Sequence, residues 1–454
     1  MVTVKATHVV KPVEETPSMI MYVADIDQIY PIHTPTIYFY RSPNSFSSFP
    51  IMVEILKHSL SKALVIFYPF AGRLQWTHRN RVQLNCNSLG AHLLEAETDA
   101  RIDDFAPDYR PTSAVRDLIP YVDYSRPIED LPQVLVQLTK FSCGGVSLGL
   151  VLSHFLADGQ SALHFISEWV RIARGEGPEY MPFLDRTVLM VQDEEEDLLP
   201  ADHFDGSDYK QPPLMIGSLM NNIEESDVLM LRLSKEQIDK LRSKANEEKK
   251  RLGDLDRGFT RFEVVAGHMW RTASKARKHI ETQETALRVV VNFRNRVKPP
   301  LPKFFFGNAV LPVVVSSTSG ELVSMPLSYV ASKIRAATEK VTDEYVKRAT
   351  VFLSNQEDLS QWRYLHVING SNQGVFYGNP NMDITSWLTL PHNEGGTDFG
   401  WGEEDHFGPG ALGFDGKSFI LSDKSRSGSA VVALRLQVTH IQDFKTFFYE
   451  DFLN

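Results

Sequence analysis

Apolar residues recur along the chain with two different periods. Val134–Leu138 and Val146–His154 read as neighbouring strands, joined by a turn at Ser142–Gly145. After Asp158 and Gly159 the period lengthens. Leu163, Ile166, Trp169, Val170 and Ala173 then share one helical face, and Gly175 marks its stop. Ser234 with Gln237, and Thr260 with Glu263, are reciprocal capping signals that open two further helices. Ile238, Leu241 and Ala245 form the buried stripe of the first, and Ala266 and Trp270 lie on the second. Val310–Val315 and Val431–Val438 are later strands. The predicted fold class is α/β, with mixed sheets rather than a doubly wound parallel sheet.

One stretch breaks the pattern. Residues 192–226 hold the acidic run Asp193–Asp197, then Asp205 and Asp208, then Pro212–Pro213. Such composition buries little and is expected to run over the surface as a connector. It separates 1–191 from 227–454. At 454 residues the chain exceeds what one core usually carries, so a domain on each side is expected. No fixed-period repeat or low-complexity tract is present.

Charge and cysteine content narrow the function. With 47 Lys plus Arg against 57 Asp plus Glu, the net charge is −10. That argues against gripping nucleic-acid phosphates and would suit a cationic small molecule. Cys86 and Cys143 are the only cysteines, which excludes a disulfide framework and a cysteine-based zinc site. Neither apolar run, 63–72 or 146–157, is long enough to span a bilayer. The first residues lack an apolar signal segment and include Glu14 and Glu15, so a cytoplasmic enzyme is expected.

Two motif matches lack their context. Gly145-x-Ser147-x-Gly149 fits the hydrolase nucleophile pattern, but the strand alternation continues through Ser147 to His154, so Ser147 reads as a strand residue. Gly408-x-Gly410-x-x-Gly413 has no strand before it and no helix after it, and reads as a Gly-rich loop. The informative segment is Ser153–His154–Phe155–Leu156–Ala157–Asp158–Gly159. A strand delivers His154 to its C-terminal end, where α/β proteins present reactive side chains. Near neutral pH a histidine can take a proton from an incoming hydroxyl or amine. Asp158 could orient that imidazole, share a metal with it, or tie the loop to another element. From spacing alone, catalytic and structural readings of His154 both stand.

His154-x-x-x-Asp158-Gly159, taken with Asp398–Phe–Gly400–Trp401–Gly402, resembles the signature pair of the BAHD family of plant acyl-CoA-dependent acyltransferases. Similarity extends over almost the whole chain, through Phe67–Arg73, Phe262–Trp270, Asn295–Arg296, Pro299–Pro302, Phe306–Asn308 and Ile384–Trp387. The resemblance implies two domains like chloramphenicol acetyltransferase, joined by a crossover loop, with a solvent channel between them. A segment near 371–397 is then expected to pack with the N-terminal domain. Acyl-CoA would be a co-substrate, with no permanently bound cofactor and no metal. His154 would be the general base, a role that typically supplies ~10²–10⁴ in rate. Asp158 would pair with Arg294, and Asp398, Gly400, Trp401 and Gly402 would be architectural. Thr385 and Trp387 would face the tetrahedral oxyanion; the plain alternative for Trp387 is a core aromatic. Thr260 and Arg261, at a helix start, and more weakly Arg296, would meet the CoA phosphates. Thr34, Thr36 and Tyr38 match positions near the acyl and acceptor pockets.

Acceptor choice is argued from charge. Shikimate and quinate hydroxycinnamoyltransferases use an arginine thirteen residues before the threonine of T-S-W to grip the acceptor carboxylate, and here that position is Asn372. A neutral amide does not replace a bidentate guanidinium. Asp383, Glu403, Glu404 and Asp405 are expected around the acceptor mouth. Gln160–Trp169 and Pro182–Arg186 are similar to the spermidine hydroxycinnamoyltransferase branch. Spermidine is therefore the expected acceptor, with hydroxycinnamoyl-CoA as donor. Its amines are only about one part in 10³ neutral at pH 7, so the acids should hold the distal ammonium groups rather than the reacting one. Residues 392–397 make the loop before Asp398 two residues longer than is usual in the family. Ester formation on an alcohol and a catalytically idle binder are the rivals. A monomer is expected, with no nucleic-acid or membrane partner.

Overall fold

The computed structural model describes residues 1–41, 48–191, 206, 208, 213–215, 225–251, 253, 257–363, 378–390, 397–423 and 428–452. Asn372, most of the 192–226 stretch and nearly all of 392–397 lie outside the described residues. The first half comprises β1 (Val2–Val10), β2 (Met19–Met21), β3 (His33–Tyr40), α1 (Phe49–Ile66), β4 (Arg73–Trp76), β5 (Val82–Cys86) and β6 (Ala91–Thr98), then α2 (Ser113–Arg116), β7 (Val134–Phe141), β8 (Val146–Ser153) and α3 (Gly159–Ala173). The second begins with β9 (Ser226–Leu233), α4 (Lys235–Arg251), α5 (Arg261–Arg277), β10 (Glu284–Asn292) and β11 (Val310–Thr318). There follow α6 (Ser319–Ser324), α7 (Leu327–Glu339), α8 (Asp343–Ser354) and α9 (Ser360–Arg363). It ends with β12 (Met382–Ser386), β13 (His406–Pro409), β14 (Lys417–Ser422), β15 (Ala430–Gln437) and α10 (Val438–Glu450).

Two six-stranded sheets organise the molecule. The first runs β1–β6–β7–β8–β3–β13, with only β6 and β7 parallel. The second runs β11–β10–β12–β14–β15–β9, with β12 parallel to both neighbours. Both are mixed sheets. Every residue of β8 is buried, because the sheet is covered on both faces. Gly149 in that strand meets the backbone of the 118–119 turn: a Cβ there would lie 2.4 Å from the Leu118 carbonyl oxygen. Ser147 sits inside β8, fully buried, as its strand reading requires.

The capping signals form as read. Ser234 and Gln237 exchange hydrogen bonds at the start of α4, and Thr260 and Glu263 do so at the start of α5. Ile238, Leu241, Ala245, Ala266 and Trp270 are buried. α3 packs Phe165, Ile166, Trp169 and Val170 inward, while Leu163 and Ala173 are half-buried at the edge of its stripe. His154 lies just past the end of β8 rather than within it, and Val438 begins α10 rather than ending β15.

Two expectations are corrected. The 192–226 stretch is not wholly a surface connector: Asp208 is buried and accepts hydrogen bonds from Lys340 Nζ, Tyr345 Oη and Val314 N. Ammonium, phenol and amide together offset its desolvation. Nor does the chain divide cleanly at that stretch. β13 leaves the second half to pair with β3, and Phe399 and Trp401 join the hydrophobic core of the first sheet with Phe306. Among the described residues, the segment that crosses is 397–410.

Candidate active site

His154 is placed by the register of β8 and β3. Its backbone N–H donates to the Ile32 carbonyl at 2.8 Å, which fixes the turn just beyond the two strand ends. The imidazole stacks on Tyr30, centroids 4.7 Å apart and planes 21° from parallel. Nδ1 is buried without a partner, so Nε2 is the nitrogen left to meet a substrate. Burial pushes the imidazole pKa below its ordinary value, against the opposing charge of Asp158. A lowered pKa keeps the ring neutral at physiological pH, the state in which it can accept a proton.

Asp158 does not reach for that ring. Arg294 grips its two oxygens at 2.7 and 2.9 Å, and the backbone N–H groups of Ser161 and Ala309 donate to it at 3.0 Å each. It thereby caps α3. Burial alone would raise its carboxyl pKa, but the Arg294 guanidinium and these donors hold it below the ordinary value. With four donors on two oxygens, it has no lone pair aimed at a metal shared with His154. Among the described residues no group of three potential metal ligands occurs. Arg294 also donates to Ser161 Oγ at 2.9 Å, locking the start of α3 to the 294–309 segment.

A second buried pair, absent from the sequence reading, holds the other side of the turn. Arg186 donates to Asp27 at 2.8 Å and to the carbonyls of Phe155 and Leu156, the residues that follow His154. The Asn308 amide nitrogen donates to Asp27 at 2.6 Å and to the His154 carbonyl at 2.7 Å. The turn is therefore clamped by groups from both halves of the chain. Pro182–Arg186, read above as a mark of the polyamine branch, supplies a clamp here. Charged residues within apolar surroundings, Asp27 beside Ile26 and Ile29, were the available signal.

β12 carries the second group of expected residues. Asp383 and Thr385 lie on one face of it, two residues apart. Asp383 is fully buried and flanked across the sheet by Arg288 of β10 and Lys417 of β14, its register partners. Arg288 Nε donates to it at 2.6 Å and Lys417 Nζ at 2.6 Å. Lys417 Nζ also donates to Thr385 Oγ1 at 2.9 Å. Burial would raise the Asp383 pKa, but these two cations hold it low. Trp387 is buried in an apolar cluster, stacked on Phe407 at 5.4 Å and tilted against Phe419 at 4.9 Å. Phe407 in turn stacks on Tyr38 at 4.6 Å, which brings the β3 face bearing Thr34, Thr36 and Tyr38 to the β12 arm. Three residues past Trp387, Leu390 lies near the start of α3: a Cβ at Gly159 would sit 3.4 Å from Leu390 Cδ1.

The acids expected to await ammonium groups are largely engaged. Asp383 is neutralised within the sheet. Glu404 accepts from Thr397 N and Oγ1, and Asp405 accepts from the Arg41 backbone N–H. That corrects the reading of Asp383 and Glu404 as open acceptor-mouth carboxylates, while Asp405 keeps an exposed side chain. Glu403 is exposed. Asp398 accepts from the backbone N–H groups of Gly400 and Gly402 at 2.8 Å each, and both glycines have φ above 100°. The turn delivers Trp401 into the core, stacked on Phe399 and edge-on to Tyr40. At the exposed start of α5, Thr260 is taken up by its capping box, and Arg261 donates to the Gly428 carbonyl. Arg296 is exposed and donates from Nη1 to the Thr338 and Val341 carbonyls at the end of α7.

Comparison with known proteins places this geometry. Residues 1–451 match the family model described as the transferase family. The chain is 45% identical over 457 residues to hydroxycinnamoyl-CoA:piscidic acid hydroxycinnamoyltransferase of Actaea racemosa, covering 99% of this chain and all of that one. It is 37% identical to shikimate O-hydroxycinnamoyltransferase of Nicotiana tabacum, with 99% of each chain covered. Among solved structures, vinorine synthase superposes with a TM-score of 0.70 at 22% identity, covering 99% of this chain and 98% of that one. That likeness is one of fold. No described helix is long and apolar enough to cross a membrane. Matched almost end to end by the family model and by these relatives, the chain belongs to the BAHD acyltransferase family, whose members take acyl-CoA as a co-substrate and carry no permanently bound cofactor.

Proposed function

We propose that the protein transfers a hydroxycinnamoyl group from its CoA thioester to a hydroxyl of a small hydroxy acid. The observation that carries the reaction type is His154, neutral through burial and clamped from both halves of the chain. Nε2 takes the proton of the acceptor hydroxyl as its oxygen attacks the thioester carbonyl. The carbonyl oxygen becomes an oxyanion opposite Thr385, the C–S bond then breaks, and the proton passes to the departing thiolate. Ester and free CoA are the products, and no acyl-enzyme forms. Thr34, Thr36, Tyr38 and Trp387 are assigned to the acyl and acceptor walls, and Thr260 and Arg261 to the CoA phosphates at the helix start.

The acceptor class is supported by two facts. The relatives at 45% and 37% identity are named for piscidic acid and shikimate, both hydroxy acids. In addition, Lys417 Nζ donates to Thr385 Oγ1 at 2.9 Å, which puts a cation beside the residue expected at the reacting end. Amide formation on spermidine is the second reading. It is favoured by exposed Glu403 and by the amide at position 372 where shikimate enzymes carry arginine.

The test is an incubation of purified protein with p-coumaroyl-CoA and an equimolar mixture of piscidic acid, shikimate, quinate, spermidine and putrescine, with product masses read. Hydroxy-acid esters that vanish with His154→Ala are expected. Spermidine amides without esters would overturn the hydroxy-acid acceptor and leave the acyl transfer standing.

A further inference from the structure

We propose that Lys417 is a positioning residue for Thr385: it occupies the threonine oxygen as a donor, so that the hydroxyl proton of Thr385 is directed at the reacting carbonyl. The role rests on the acyl-transfer reading above, which makes Thr385 the neighbour of the oxyanion. A lysine ammonium has three N–H donors and no acceptor. In the 2.9 Å bond between Lys417 Nζ and Thr385 Oγ1, the threonine can therefore only accept. Its own O–H must point elsewhere, and among the described residues it finds no acceptor. An unassisted threonine hydroxyl rotates and donates in whichever direction suits it. With one lone pair held by a cation, the hydroxyl has its donating direction set before substrate arrives.

Lys417 is itself held. Asp383 accepts from Nζ at 2.6 Å and is gripped on its other oxygen by Arg288 Nε at 2.6 Å. The three side chains sit at paired positions on β10, β12 and β14, so the parallel ladder sets their order. Within this row Arg288 and Asp383 are buried and Lys417 is half-buried, with its ammonium at the Thr385 end. A developing oxyanion at the Thr385 hydroxyl would face the cationic end of the row. Fixed charge aimed at where negative charge develops is the arrangement that lowers a barrier without reorganisation. Asp383 keeps the ammonium in place; Lys417 carries its effect to Thr385.

The test is a double-mutant cycle of Lys417→Met and Thr385→Val, with kcat and KM for acyl-CoA measured in each. Lys417→Met alone is expected to lower kcat by about 10–100-fold, with KM for the thioester changed less than about twofold. In the Thr385→Val background the same substitution should cost less than about threefold, because the group through which it acts is gone. Equal losses in both backgrounds would overturn the proposal. Lys417→Gln, which retains an N–H, should recover part of the loss and serves if the methionine variant fails to fold.

A second readout needs no turnover. In Thr385→Cys, alkylation of the introduced thiol by iodoacetamide, followed by peptide mass against pH, should reach its half-maximal rate about one pH unit lower with Lys417 than with Lys417→Met. No difference would overturn the proposal. A wild-type protein inactive towards hydroxycinnamoyl-CoA would instead refute the acyl-donor reading, and the alkylation arm would still decide the role of Lys417.

Discussion

His154 works as a base only while unprotonated, so the pH dependence of turnover reports its environment. Burial depresses its pKa, and Asp158 is the largest charge opposing that shift. The kcat/KM profile should therefore be flat at neutral pH and fall only once pH drops below the ordinary histidine value of ~6.5. Asp158→Asn removes the opposing charge, so the acid limb should move to lower pH still. A limb unmoved or shifted upwards would show that Asp158 does not act on His154 electrostatically. His33 gives a separate acid signature. Half-buried and bonded to Tyr124 and Pro132, it has its pKa pushed down to about 4 by loss of solvation. The unfolded chain then binds a proton that the folded one refuses. Stability should thus decline as pH falls from ~6.5 towards that value, and the decline should be smaller in His33→Gln by urea titration at several pH values.

The Asp158–Arg294 pair ties the start of α3 to the segment after β10, and so carries the turn that presents His154. Removing one partner of such a buried pair leaves the other charge uncompensated. Asp158→Asn should lower unfolding free energy by ~3–5 kcal/mol in urea titrations. The turn at Asp398 is a milder case. Asp398→Ala loses the acceptor for two backbone N–H groups and should cost about 1 kcal/mol, whereas Asp398→Asn keeps an oxygen and should recover most of that. A difference in the opposite order would mean that the turn is held by something other than this acceptor.

These elements also divide what was legible from what was not. Capping boxes at Ser234 and Thr260, the helical face after Asp158 and the strand ending at His154 follow from spacing within one segment, so the sequence carries them. The row Arg288, Asp383 and Lys417 draws one residue from each of three distant strands, and no local period links them. Its trace was an inward-pointing charge in each otherwise apolar strand. The reading of Asp383 as an open acid failed for the same reason: exposure was inferred from charge, while its partners Lys417 and Arg288 lie 34 and 95 positions away.

At the scale of the whole molecule, the two sheets are stitched together rather than set side by side. β13 supplies the edge strand of the first sheet from the second half of the chain, and Phe399 and Trp401 fill that sheet's core. In return Asp27 receives the Asn308 side chain, Tyr30 Oη donates to the Val310 carbonyl, and Arg81 donates to carbonyls at the end of α8. Each crossing contact is buried or half-buried, so separating the halves would expose polar groups without partners as well as apolar surface. The two halves should therefore unfold as one unit. Trp169 and Trp401 report on the first core and Trp270 on the second. Far-ultraviolet circular dichroism, and fluorescence of variants that keep the tryptophans of only one core, should give coincident thermal transitions. Two resolved transitions, each seen by the tryptophans of one core, would mean that the crossing contacts are too weak to couple the sheets. Coincidence would explain how a base on the first sheet and a hydroxyl donor on the second hold a common geometry between turnovers.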